Sequence, residues 1–248
     1  MRIDVFLVPG QFTSAYGSGR VVVVIDVLRA STSVAAALAN GARNVVPLES
    51  AEDVIKRAKS FDRSEVLLAG ERKMHVIPGF DIGNSPADFG PQAVDGKTVL
   101  LTTTNGTQAV LAVQGARDVV IASYVNFTAV LTLLRTAVRG DTDIAILCAG
   151  RDRQFALEDA ACAGRFVRLL SRGSAAVELN DGASAAVLIE KRYSGRLDRV
   201  FADAEHGRAL VEAGYAQDLV ECARLDAYPV IPIYQDRQIT KIGPERER

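Results

Sequence analysis

The chain has 248 residues, 48% of them apolar and 24% charged, with 29 lysines and arginines against 30 aspartates and glutamates. This is the composition of an ordinary globular protein with room for a sizeable core, and a net charge of −1 gives no basic field for a nucleic acid or an anionic membrane. Three cysteines, none in a CxxC pair, are too few and too scattered for a disulfide framework and read as small core residues in a reducing compartment.

The opening MRIDVFLVPG reads as a short strand and turn, without the charged and then apolar regions of a secretion signal. No run of about 18 apolar residues is present to span a bilayer, so a soluble cytoplasmic protein is expected. Residues 21–26 (VVVVID) lack any polar alternation and predict a strand buried on both faces. STSVAAALAN (31–40) predicts a helix ended by Gly41, and residues 45–48 the next strand. Ser50 then caps AEDVIKRAK, with Glu52 and Asp53 in the first turn where the helix dipole favours anions. Strands are expected at 66–69 and 98–101, a helix at 108–113, and a strand at 118–122. Asn126 is expected to cap FTAVLTLLRTAVR, and a strand at 143–148 leads to a helix at 157–170. Alternating strands and helices predict an α/β fold, a three-layer α/β/α arrangement with a largely parallel or mixed sheet, in one domain over 1–248. GARNVV (41–46) and GARDVV (115–120) lie 74 residues apart, and the same offset lays the strand, polar loop and helix of 21–48 over those of 97–122. Two related βα units are expected from it.

In such sheets ligands collect outside the carboxyl ends of strands. Three of these ends are polar. The first carries Asp26, Arg29, Ser31, Thr32 and Ser33, the second Thr102 to Thr107, the third Gly150 with Glu158 and Asp159. Hydroxyls and first-turn amides suit phosphate. Gly106 lets the backbone come close, and Arg29 brings a forked donor. Asp26, Glu158 and Asp159 are hard oxygen ligands suited to Mg²⁺. Taken singly, Ser31 and Asn105 read as helix caps and Glu158 and Asp159 as dipole complements. Asp26 is the sharpest signal, because a carboxylate ending so apolar a strand must be paired or hydrogen-bonded; Arg29 is one candidate partner. Residues 69–90, rich in glycine and proline, are expected to be mostly loop, closing over an anion with Glu71, Arg72, Asp81, Asn84 and Ser85. His75 reads as solvated and His206 as a surface-helix residue.

VVVVIDVLRASTSVAAALANGA, GER followed by GFDIGNSP, TTTNGTQAV, and CAG followed by FALEDAACAG together resemble the 2-phosphosulfolactate phosphatase family of coenzyme M biosynthesis. The resemblance covers about residues 21–164, and the tail after residue 173 adds little to it. It implies Mg²⁺-dependent hydrolysis of a small anionic substrate, 2-phosphosulfolactate, to sulfolactate and phosphate. The implied fold is an α/β arrangement of two similar lobes with the site between them; whether copies associate into a homo-oligomer is left open. Asp26, Glu71, Glu158 and Asp159 are implied in metal binding or water activation, with Asp26, Glu158 and Asp159 as the metal set. Arg29, Ser31, Thr32, Asn84, Asn105, Gly106 and Thr107 are implied in holding the anionic groups, beside Arg72 and Thr104 from the same loops. Two stretches depart from the pattern and bear on which substrate is accepted. Lys73-Met74-His75 stands where a more glycine-rich turn is expected, and Arg151-Asp152-Arg153 adds charge. A relative acting on another phosphorylated hydroxy acid stays open.

Two rival readings come from other classes. VVVVIDV also resembles the first strand of isochorismatase-like hydrolases, with Cys148 as nucleophile, but no lysine stands out as its partner and TTTNGT and FDIGNSP go unused. A non-catalytic anion-binding module would not need three carboxylates beside one anion unless a cation lay between them.

Overall fold

The computed structural model describes residues 1–113, 116, 118–172 and 177–242, so Gly115 and Arg117 of the second GAR segment lie outside the described residues. The chain begins with β1 (Arg2–Phe6), α1 (Ser14–Gly17), β2 (Val21–Ile25), α2 (Ala30–Ala39), β3 (Asn44–Pro47) and α3 (Ala51–Ala58). Next come β4 (Val66–Arg72), β5 (His75–Val76), α4 (Pro91–Val94), β6 (Thr98–Thr102), α5 (Gly106–Ala112), β7 (Asp118–Ala122) and α6 (Phe127–Arg139). The remainder is β8 (Ile144–Cys148), α7 (Leu157–Leu170), β9 (Glu178–Leu179), α8 (Asp181–Tyr193), α9 (Leu197–Asp203), α10 (Glu205–Glu212), α11 (Ala216–Cys222), β10 (Pro232–Gln235) and β11 (Gln238–Lys241). Among the described residues no helix is long and apolar enough to cross a membrane.

The strands form one mixed sheet in the order β5-β4-β6-β3-β11-β10-β7-β2-β8-β1-β9. β7, β2, β8, β1 and β9 run parallel to one another, and so do β3, β6 and β4. The antiparallel hairpin β10–β11 joins the two halves, pairing antiparallel with β7 on one side and β3 on the other. β2 and β3 therefore stand in the order as β6 and β7 do, mirrored about that hairpin.

β2 shows why its sequence has no polar alternation. Val23 and Ile25 face a core shared with Phe127 and Leu134 of α6 and Phe166 of α7, while Val22 and Val24 face a second core with Val34 and Leu38 of α2 and Val110 of α5. Successive side chains of a strand point to opposite faces, and helices cover both. α2 is alanine-rich and lies flat on the sheet, with Ala35, Ala36 and Ala37 fully buried. Ser50 caps α3 as expected, its side chain accepting from the Asp53 amide at 3.1 Å.

Two local expectations are corrected. Asn126 does not cap α6; it is fully buried, its Oδ1 accepting from the Ser123 amide at 2.8 Å in a capping box around a short 3₁₀ turn. Its amide nitrogen serves Ile121 O at the end of β7, so the side chain satisfies a strand end before it can serve the helix. The segment 69–90 is not loop from its start, because β4 runs on to Arg72 and turns back as β5, with Arg72 opposite His75.

α7 and α8 meet at Gly164, where an added Cβ would run into the carbonyl oxygen of Ala186 and lie 3.0 Å from Glu190 Cβ. Gly164→Ala gains about 1 kcal/mol of helix propensity but must push a backbone carbonyl, and overpacking of a core costs about 1–3 kcal/mol. The expected result is a net loss of stability, read as a lower urea midpoint at unchanged m-value. Equal or higher stability would refute the close approach.

Candidate active site

The loops after β2, β6 and β8, the β4–β5 hairpin and α10 enclose a cavity of about 610 Å³. Its walls carry Asp26, Leu28 and Arg29; Glu71, Arg72, Lys73 and Met74; Asn84; Thr103, Thr104 and Asn105; Arg151 and Asp152; and His206. Segments far apart in sequence thus share one chamber, which follows from strand ends gathering loops at the edge of a sheet.

Asp26 follows β2 and, among the described residues, forms no ion pair with a lysine or arginine. Its backbone and Ser31 exchange two hydrogen bonds, Asp26 N to Ser31 Oγ at 2.9 Å and Ser31 N to Asp26 O at 2.9 Å. Oδ1 accepts from the Ala30 amide at 3.2 Å. Burial pushes the carboxyl up to about 6, against the pull of His206 and the Ala30 amide and with added repulsion from Glu158 and Glu71. The first turns of α2 and α5 touch here. A Cβ on Gly106 would fall 2.5 Å from Asp26 Oδ2 and collide with Ala30 Cβ, so Gly106 acts as the spacer that lets the two loops converge.

The remaining carboxyls divide by what they face. Glu71 accepts three hydrogen bonds: Oε1 from the Thr104 amide at 2.7 Å, and Oε2 from the Met74 amide at 2.9 Å and Thr104 Oγ1 at 3.1 Å. It ties the hairpin to the loop after β6. Asp159 is turned to the backbone, Oδ1 accepting from Val27 N at 2.8 Å and Oδ2 from Gly150 N at 3.0 Å, and is absent from the cavity walls. It brackets the loops after β2 and β8 together, a positioning role read from its two backbone bonds. Burial raises its pKa well above the ordinary value, reinforced by Glu158 and Asp26. Glu158 is buried with Oε1 at 3.2 Å from His206 Nδ1.

Arg29 lines the cavity but is not the partner of Asp26. Its Nη1 donates to Asp218 Oδ2 at 2.7 Å, Nη2 to Met74 O at 3.0 Å, and the guanidinium lies 4.5 Å from the ring centre of Tyr215. Asp218 also accepts from Ser85 Oγ and so anchors the 77–90 segment. Ser31, Thr32 and Thr107, expected to hold anions, are buried in bonds to their own loops and are not on the walls: Thr32 Oγ1 donates to Val27 O at 2.9 Å and Thr107 Oγ1 accepts from Thr103 N at 2.9 Å. A hydroxyl at a helix start satisfies local backbone first when no solvent reaches it. Asn105 reaches the rim, its Oδ1 accepting from Asp152 N at 2.9 Å.

Asn84 lines the cavity, and among the described residues its side-chain Oδ1 is buried without a hydrogen-bond partner, so it has an acceptor to spare. Among the described residues no group of three or more His, Cys, Asp or Glu side chains is arranged to hold a metal ion. Mg²⁺ needs less than that, since it is commonly bound through one or two carboxylates, water and substrate phosphate. Asp26 and the Asn84 side chain, both on the walls, have the oxygen chemistry that this sparse demand asks for, and Glu158 is close enough to Asp26 to raise its pKa. Glu158 and Asp159 are both absent from the walls, and Glu71, which is on them, already accepts three hydrogen bonds.

Cys148 closes the isochorismatase-like alternative. It is fully buried at the end of β8, absent from the walls, and burial pushes its thiol well above the ordinary value, which disfavours the thiolate that would attack. Cys148, Cys162 and Cys222 are all buried and unpaired. The native protein should resist iodoacetamide in neutral buffer and react fully only after denaturation, followed by mass spectrometry. Rapid labelling of Cys148 would restore the thiol reading.

His206 corrects the sequence reading most sharply. It is 9% exposed, lines the cavity and contacts Glu158. Asp218 was missed altogether. One signal was present for both: each stands four residues before a buried apolar residue of its helix, His206 before Leu210 and Asp218 before Cys222, on the same face.

Comparison with known proteins gives a consistent result. A family model described as 2-phosphosulpholactate phosphatase matches residues 7–237, including the tail that carries His206 and Asp218. A protein of Symbiobacterium thermophilum is 42% identical over 222 residues, 90% of this chain and 94% of its own length. One of Caldanaerobacter subterraneus subsp. tengcongensis is 37% identical over 211 residues (85% and 86%), and one of Clostridium botulinum (strain Alaska E43) is 32% identical over 242 residues (98% and 100%). All three bear the name "Probable 2-phosphosulfolactate phosphatase".

Proposed function

The chain belongs to the 2-phosphosulfolactate phosphatase family, and from that membership we propose that it hydrolyses the phosphate ester of 2-phosphosulfolactate to sulfolactate and inorganic phosphate, with Mg²⁺ as cofactor. The observation that carries the reading is the placement of Asp26, a buried carboxyl tuned to about 6, in the same cavity as the cationic side chains of Arg29, Arg72 and Lys73. The chamber thus carries both a base and cations that can receive anions.

A base with pKa near 6 is largely ionised at pH 7 yet still holds a proton well, which is the compromise general-base catalysis needs. Asp26 takes a proton from the attacking water as its oxygen bonds to phosphorus, and the ester oxygen leaves on the opposite side. That alkoxide needs a proton, and His206, which lines the same cavity and is held by Glu158, is the group placed to give it. Arg29 is fixed by Asp218 and Tyr215 and so meets the substrate without reorganising. Direct attack by Asp26, forming a phosphoaspartate, is the variant mechanism; Leu28, where phosphoaspartate phosphatases carry a second aspartate, speaks against it. Bound Mg²⁺ would supply charge neutralisation at phosphorus, held near Asp26 by water, the substrate phosphate and the Asn84 side chain; the Asp26 value of about 6 is that of the site without metal.

The test is phosphate release from racemic 2-phosphosulfolactate, 2-phospholactate and 3-phosphoglycerate, each with Mg²⁺ and with EDTA. Release from the sulfonate that needs Mg²⁺ is the expected result. Release from another ester alone keeps the chemistry and changes the substrate, and no release from any ester overturns the proposal.

A further inference from the structure

The β4–β5 hairpin turns in two residues, Lys73 and Met74, both with left-handed backbone, φ 50° and 72°. A two-residue hairpin of this kind favours glycine or asparagine at both positions, because a Cβ in the left-handed region is crowded. Here the turn carries two long side chains. Met74 has a local reason: its amide donates to Glu71 and its carbonyl accepts from Arg29, so its backbone is part of the wall.

Lys73 has no such reason. It is exposed at the hairpin tip on the rim of the cavity, and among the described residues its ammonium makes no hydrogen bond or ion pair. The other cations on the walls differ from it. Arg29 is neutralised by Asp218, and Arg151 lies 3.2 Å from Glu205 and 3.7 Å from Asp152. Arg72 donates only to neutral acceptors, Glu71 O at 2.8 Å and Thr102 Oγ1 at 2.9 Å. Two adjacent positive charges without a counter-anion thus sit at one edge of the chamber, on a turn whose backbone disfavours the residue that supplies one of them.

We infer that Lys73 is a specificity-determining residue: its ammonium, beside Arg72, receives the anionic group that the substrate carries in addition to its phosphate. The inference rests on the function proposed above and names what that site selects, a phosphorylated acid bearing a second or third anion at the far end from the ester. A charged donor meeting an anion in a partly enclosed cavity is a strong hydrogen bond. A side chain held in an unfavourable turn for the sake of a ligand fits the pattern of strain kept at binding sites.

The test is calorimetric titration of the full chain, in Mg²⁺ buffer at low salt, with two probes: sulfolactate, which has carboxylate and sulfonate but no phosphate, and inorganic phosphate. Wild type is compared with Lys73→Met, which removes the charge and keeps the stem, and with Lys73→Asn, which suits the left-handed turn. In both variants the affinity for sulfolactate should fall relative to that for phosphate by about tenfold, and the Asn variant should melt no lower than wild type. An equal loss for both anions, an unchanged ratio, or a wild type that binds no sulfolactate overturns the inference. Because binding needs no turnover, a wild type that binds sulfolactate in this selective way but releases phosphate from no ester would defeat the proposed reaction and leave Lys73 in its role.

Discussion

Asp26→Asn is expected to lower phosphate release by about a thousandfold or more while making the metal-free protein more stable at pH 7. The two effects have one cause. Burial holds the Asp26 carboxyl at about 6 against an ordinary value of 3.8, so the folded state binds this proton more tightly than the unfolded state. Stability therefore falls as pH rises between about 4 and 6. The penalty is absent below the unfolded value and complete above the folded one, and a shift of about two units corresponds to roughly 2–3 kcal/mol. Asparagine keeps the shape without the charge. Urea unfolding in EDTA should show the variant more stable than wild type at pH 7 and level with it near pH 4. A variant less stable at pH 7 would show that Asp26 is stabilised as an anion, which removes the argument for its basicity.

Removing Asp218 should have the opposite character, with both stability and activity lost. Arg29 and Asp218 are 3% and 4% exposed at the side chain and 2.7 Å apart. Asp218→Asn leaves a guanidinium in the interior without its anion, and breaking a buried pair from one side costs about 3–5 kcal/mol. It also weakens the tether that Ser85 makes to the loop carrying Asn84. The double variant Arg29→Met with Asp218→Leu removes both charges and should regain most of the stability, since replacing a buried pair by apolar groups is commonly neutral or better. It should not regain activity, because the cavity has lost its fixed guanidinium. An Asp218→Asn protein within about 1 kcal/mol of wild type would mean that the pair is solvated and that Arg29 is not held by it.

β2 was legible because a strand covered on both faces must be apolar at every position, and its carboxyl end then stands out by the first polar residue, Asp26. The cap at Ser50 and the helix over 157–170 were legible for similarly local reasons, a side chain three residues from its amide and a period of about 3.6. The pattern at the three strand ends also located the cavity, since the chain has to leave the sheet there and its loops meet above it. Gly106 was singled out for close approach, and the structure shows what approaches: Ala30 and the Asp26 carboxylate.

The division of labour among the polar residues was not local. Glu158 and Asp159 are neighbours in the first turn of α7, yet one contacts His206 and the other spends both oxygens on backbone amides of two different loops. Arg29 finds its partner 189 residues later. The sequence by itself determined which segments are buried, where the sheet ends and which few loops carry charge, because burial, capping and periodicity act within a turn or two of the chain. Only the tertiary structure decided which of those charges face the cavity and which hold the backbone. A buried polar group must find its hydrogen bonds among whatever packing brings within about 3 Å, and the chain order does not contain that list of neighbours.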